Sequence, residues 1–214
     1  MCYNSQDSLN AYLINLVSCI ILFNKSSNTD MKIASIFFLF VGQMQILDYI
    51  FWKNTKCESI NKLTTKIAIL FNHLQPIVLF LLFNYYNYEQ TNISKIIILL
   101  YTLFVIDYTM KLWPEKNCEI KINEKVCCSL PLNDLSIIKW KWNEQQNGYI
   151  IYTLFLLYLF TASFNFKNSK YKYLFSIASI GSFLIGSKIP KLNASVGRSW
   201  CYLASFVPIF FLVV

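Results

Sequence analysis

Seven apolar runs, separated by short polar and charged stretches, occupy most of this 214-residue chain. They lie at 9–23, 33–52, 66–85, 93–113, 149–164, 173–189 and 196–214. About 20 apolar residues suffice for a helix to cross ~30 Å of hydrocarbon. A backbone in lipid must bond to itself, which leaves helices or a closed barrel, and the runs lack the strict alternation of barrel strands. Charged residues make up 14% of the chain, against about 25% in an ordinary soluble domain. The pattern therefore predicts an all-α membrane protein: a single multi-pass domain over 1–214, folded as a seven-transmembrane-helix bundle. No basic stretch precedes the first run and no small-residue cleavage site follows it, so a retained span is expected rather than a cleaved signal peptide.

Seven spans sort the connections onto two faces. The N-terminal face holds 53–65, 114–148 and 186–195; the opposite face holds 24–31, 87–91, 167–172 and the C-terminus. Trp52 and Trp113 close spans at the N-terminal face, Trp200 opens one there, and Trp140 and Trp142 lie in its long loop. That distribution fits an interfacial aromatic belt. Lysine and arginine in the short loops are near parity, so charge does not orient the chain. Cys57, Cys118, Cys127 and Cys128 all fall on the N-terminal face, which favours an extracellular or lumenal N-terminus if they pair; free thiols are the alternative.

The net charge is +8, but the lysines are spread over nearly every loop. Contact with anionic headgroups of the bilayer accounts for that better than nucleic acid, which is not expected as a partner. Symmetric assembly is common for small bundles, yet no stretch of this sequence specifies an oligomer interface.

The connection 114–148 is too long for a simple helix–helix turn. Within it, 119–123 and 138–142 alternate in polarity as half-buried strands do. The expectation is a small β-containing loop between the fourth and fifth helices, lying as a lid over the N-terminal mouth of the bundle. It serves either as a recognition surface or as a plug.

Ionisable groups inside a membrane are costly and default to functional hypotheses. The second span carries Gln43, Gln45 and Asp48, the third Asn72, His73, Gln75 and Pro76, and the fourth Asp107 and Lys111. Gln45, Asp48 and Trp52 share one helical face, as do Asn72, Gln75 and Pro76. All fall in the half nearer the N-terminal face, where they would line a polar vestibule. Asp48 would attract a cation or exchange a proton with His73, and the glutamines would orient a small solute. Each has a plainer role too. Asp107 and Lys111 form a favourable i,i+4 pair, Asp48 is near enough to the interface to be hydrated, and the amides serve as interhelical bonds. In the sixth span, Ala178, Ser182 and Gly186 form a small-residue packing face, and Pro208 predicts a kink in the last.

No lysine lies within 196–214, which excludes a retinal Schiff base there. No pair of His or Cys has metal-ligand spacing on a helix, so no metal and no cofactor are expected. Neither a nucleophile elbow nor a Gly-rich phosphate loop is present, and an enzyme is the least supported class. Two functions remain. One is binding, or passing, a small polar solute, proton or cation through the vestibule. The other is a membrane-anchored interaction protein that presents 114–148 to a partner.

Met44-Gln45, Asp48, Trp52, Asn61, Thr65, Gln75-Pro76 and Ser199-Trp200-Cys201 resemble the pattern of an uncharacterised polytopic membrane family of large DNA viruses and protists. The similarity touches the second, third and seventh spans. That pattern often has Glu where this chain has Asp48, a shorter carboxylate. The resemblance implies a membrane bundle and no activity, and it adds weight to Gln45, Asp48 and Gln75.

Overall fold

The computed structural model describes residues 4–25, 27–54, 59–112, 129–132, 137–140, 148–188 and 196–213. Among them are α1 (Ser5–Lys25), α2 (Thr29–Lys53), α3 (Ser59–Tyr85), α4 (Asn92–Leu112), α5 (Gly148–Ser163), α6 (Ser169–Lys188), α7 (Val196–Ala204) and α8 (Val207–Val213). Two four-residue strands, β1 (Ser129–Leu132) and β2 (Ile137–Trp140), pair antiparallel with Ser129 opposite Trp140 and lie against α2. The stretch 119–123 and all four loop cysteines, Cys57, Cys118, Cys127 and Cys128, lie outside the described residues.

α1 to α4 are each long and apolar enough to cross a membrane, and α5 is a shorter apolar helix. These helices are compatible with a multi-pass membrane protein. Their outer faces agree, since Val17 on α1 and Leu99 and Leu103 on α4 are about half exposed or more. Such faces suit contact with lipid. The hydroxyls beside them return to their own helices: Thr102 donates to Ile98 O and Thr109 to Val105 O at 2.7 Å, and Thr153 to Tyr149 O at 2.8 Å. No hydroxyl there needs water.

The helix starts are set by side-chain caps that satisfy the first amides. Asn4 Oδ1 accepts from Asp7 N, Asn28 Oδ1 from Asp30 N, Thr91 Oγ1 from Ser94 N and Asn168 Oδ1 from Lys170 N. These polar caps lie outside the apolar runs, so α1, α2 and α6 each begin four residues before the runs do. α3 stops differently. Asn87 adopts φ 56°, and Asn87 N and Tyr88 N donate to Asn84 O and Phe83 O. This is a Schellman ending, completed by the Phe83–Tyr88 ring contact at 5.7 Å.

α2 is the central element, packed against α1, α3, α6, α7 and α8. Near the α2 N-terminus the core is aromatic. Phe37, Phe38, Phe83, Phe166, Phe175 and Phe211 are buried, with successive ring centroids 5.1–6.1 Å apart. Gln45 and Asp48 of α2 and Asn72, His73 and Gln75 of α3 are buried toward the other end.

The last run is broken, as Pro208 implies, but the break falls at Ser205 and Phe206. Ile209 N bonds to Phe206 O, and the Ser205 carbonyl accepts instead from Asn15 Nδ2 at 3.1 Å. Asn15 is fully buried on α1 and lies against Gly42 of α2, where any Cβ would run into its carboxamide.

Trp200 departs from the interfacial expectation. It is 1% exposed, its Nε1 donates to Ser179 O at 2.9 Å, and its ring meets Phe155 edge-on at 5.2 Å. An indole whose N–H finds a carbonyl inside the bundle has no need of the headgroup layer. Trp200→Phe keeps the ring contact and loses the bond, so thermal unfolding in detergent should show a loss of about 1 kcal/mol.

Candidate functional site

The polar residues of α2 and α3 descend from one well-defined level. Asn54 ends α2, and Asn61 Nδ2 donates to Asn54 O at 2.7 Å, which sets the two helices side by side at that point. With ~1.5 Å per residue, Asp48 lies about 9 Å below it, Gln45 about 14 Å, Asn72 about 17 Å, His73 about 18 Å and Gln75 about 21 Å. Asp48 is thus closest to the end and His73 is near mid-bundle, roughly 9 Å deeper. Gln45, Asp48, Asn72, His73 and Gln75 are all 0–2% exposed. Asp107 is exposed on α4 and does not belong to this buried set. Gln43 returns its amide to Leu39 O at 3.0 Å, a purely local bond.

α3 presents its polar side chains to three neighbours. Gln75 Nε2 donates to Cys201 Sγ on α7 at 3.6 Å. Asn72 Nδ2 donates to the Tyr152 hydroxyl on α5 at 3.0 Å. His73 turns toward α4 and α5, where its ring meets Tyr108 edge-on at 5.2 Å and Tyr152 at 6.1 Å. The Tyr101 hydroxyl donates to His73 O at 3.0 Å and lies 3.5 Å from His73 Nδ1. Pro76, one turn further on, is buried inside the helix.

Several buried polar atoms have no hydrogen-bond partner among the described residues, His73 Nε2, Gln75 Oε1 and Trp52 Nε1 in this region and Asn165 Nδ2 and Ser179 Oγ elsewhere. An unmet buried donor or acceptor costs about 1–3 kcal/mol. No group of three or more His, Cys, Asp and Glu able to hold a metal occurs among the described residues.

A second cluster, at the other end of the bundle, is absent from the sequence reading. Asp30 is 1% exposed. Its Oδ1 accepts from the Tyr88 hydroxyl at 2.7 Å and from Lys167 N at 3.2 Å, and its Oδ2 accepts from Asn168 N at 2.8 Å. Lys167 Nζ stands 4.5 Å from the centroid of the Tyr88 ring. The turns after α1, α3 and α5 therefore meet at one carboxylate, so α1 to α6 alternate in direction. Burial and the neighbouring Asp30 push the Tyr88 phenol up. In sequence, Asp30 reads as an acid in a helix first turn. The available signal was the triplet Asn28-Thr29-Asp30 beside a helix start, which names a cap and not the loops it gathers.

Comparison with known proteins found no matching family model, no similar curated protein and no similar solved structure.

Proposed function

We propose that this protein is a seven-span membrane protein that binds a small polar solute in a vestibule entered from the N-terminal face. α7 and α8 together make the seventh span. They start beside the far half of α6, and Phe211 stacks on Tyr171 near the α6 start at 5.8 Å, so they run toward the Asp30 end. The observation that carries the binding reading is His73 Nε2, buried in mid-bundle without a partner among the described residues. Asp48 stands nearer the mouth, Gln45 below it, and His73 lines the floor on the side of α4 and α5, with Gln75 turned toward α7. The aromatic layer from Phe37 to Phe211 closes the path beyond, which favours a binding cup over an open pore. The strand pair of the 114–148 connection lies against α2 and would serve as the lid.

The test measures solute binding and proton or cation flux with the purified protein in liposomes, beside Asp48→Asn and His73→Phe. Binding should weaken at least tenfold in His73→Phe, and entry should slow in Asp48→Asn. Open-pore flux that ignores both substitutions would reject the cup. Folded protein with neither binding nor flux would move function to the 114–148 connection as an interaction surface.

A further inference from the structure

Resting on the vestibule reading, we infer that the solute held at His73 is a small protonated amine, of which ammonium is the simplest member. The argument starts from one proton. The Tyr101 hydroxyl has a single hydrogen, and it is engaged by the His73 carbonyl at 3.0 Å. The Tyr101 oxygen also lies 3.5 Å from His73 Nδ1. With its proton engaged, that oxygen meets Nδ1 only as an acceptor, so Nδ1 carries the imidazole hydrogen. In the neutral ring the other nitrogen is then a bare lone pair. That nitrogen, Nε2, is the buried atom with no partner.

Gln75 leads the same way. Its Nε2 donates to Cys201 Sγ, and the atom left unmet is the carbonyl oxygen Oε1. The unmet atoms of His73 and Gln75 are both acceptors, though two positions apart on α3 they face different neighbours. A bare imidazole nitrogen rejects an anion or a carboxylate, which brings only further acceptors, and takes a group rich in N–H. The walls around His73 add a preference for positive charge. Tyr108 and Tyr152 stand 5.2 and 6.1 Å from its ring, with Tyr101 hydrogen-bonded to its carbonyl. Aromatic rings attract cations, most strongly where water is excluded. An ammonium group satisfies both demands. A potassium ion of similar size has the charge without the N–H donors, and tetramethylammonium likewise has none.

His73 is the chain's single histidine, so imidazole nitrogen-15 NMR of the full-length protein in nanodiscs reports this residue alone. The expected spectrum shows hydrogen on Nδ1 and a bare Nε2. Ammonium chloride should move the Nε2 resonance saturably, with at least tenfold tighter binding than potassium chloride, and tetramethylammonium chloride should leave it unmoved. Hydrogen found on Nε2, or equal responses to ammonium and potassium, would overturn the inference. A response to neutral glycerol or urea with none to ammonium would overturn the amine and keep the vestibule. No response to any of these solutes would reject both.

Discussion

Asp30→Ala is expected to lower stability more than any other single polar-to-alanine change among the described residues, by about 3 kcal/mol, since charge-assisted bonds contribute ~1.5–3 kcal/mol each and do not simply add. The substitution leaves three donors unmet at once: the Tyr88 hydroxyl, Lys167 N and Asn168 N. It also removes an acidic group from the first turn of α2, where the helix dipole favours one. A graded series separates these effects. Asp30→Asn keeps an acceptor for Tyr88 and Lys167 but turns an amide N–H toward Asn168 N, so its loss should be intermediate. Tyr88→Phe removes one bond and should lose least. Thermal unfolding in detergent gives the ranking, and hydrogen exchange should show 86–91 and 164–168 opening together in Asp30→Ala. A variant that melts with the parent would show that the three turns are held by the aromatic layer beneath them. Tyr88 adds a pH signature. Its folded phenol is raised above the ordinary value near 10, so its contribution is full below about pH 10 and falls as the unfolded phenol ionises. Alkaline loss should accordingly be smaller in Tyr88→Phe than in the parent.

Much of the architecture is legible in the sequence because lipid imposes a simple rule. A backbone with no water must satisfy itself, so each long apolar run announces a helix. The helix ends are less legible. Asn4, Asn28 and Asn168 cap helices from polar stretches outside the runs, where hydropathy alone has nothing to read. The candidate residues of α2 and α3 share burial, as their helical spacing implies. Their depths differ because the start of α3 is fixed by the Asn61–Asn54 bond, a contact no periodicity encodes. Trp200 illustrates the same limit. Its place at the head of a run suggests the headgroup layer, and only the packed bundle supplies the Ser179 carbonyl that draws it inside. Asp30 was invisible for a related reason, since its three donors come from turns about 58 to 138 residues away.

Gly42→Ala should destabilise the parent by about 2 kcal/mol, because an unmet buried carbonyl costs ~1–3 kcal/mol, and the same change should stabilise a protein that already carries Asn15→Ala. The sign reversal follows from what the new methyl meets. A Cβ at Gly42 collides with the Asn15 carboxamide, which is not free to swing aside. Its Nδ2 is bonded to the Ser205 carbonyl at the break between α7 and α8, and its Oδ1 accepts from the Cys19 thiol at 3.9 Å. Moving it strands a carbonyl that Ile209 N has already abandoned for Phe206 O. Asn15→Ala causes that loss by itself, and it also empties the space the methyl would enter. Once the carboxamide is gone, Gly42→Ala has only its helix preference left, worth about 1 kcal/mol in favour of alanine. A double-mutant cycle by thermal unfolding should therefore give a coupling of about 2–3 kcal/mol, at the upper end for neighbouring residues. Additive losses would mean that Gly42 serves close approach of α1 and α2 by itself, as small residues do between membrane helices, with no part in holding the broken last span. Coupling of the expected sign would instead tie the break at Ser205 to a point where α1, α2 and the last span touch. Asn15 would then be the side chain that lets a proline-broken helix remain inside an apolar bundle.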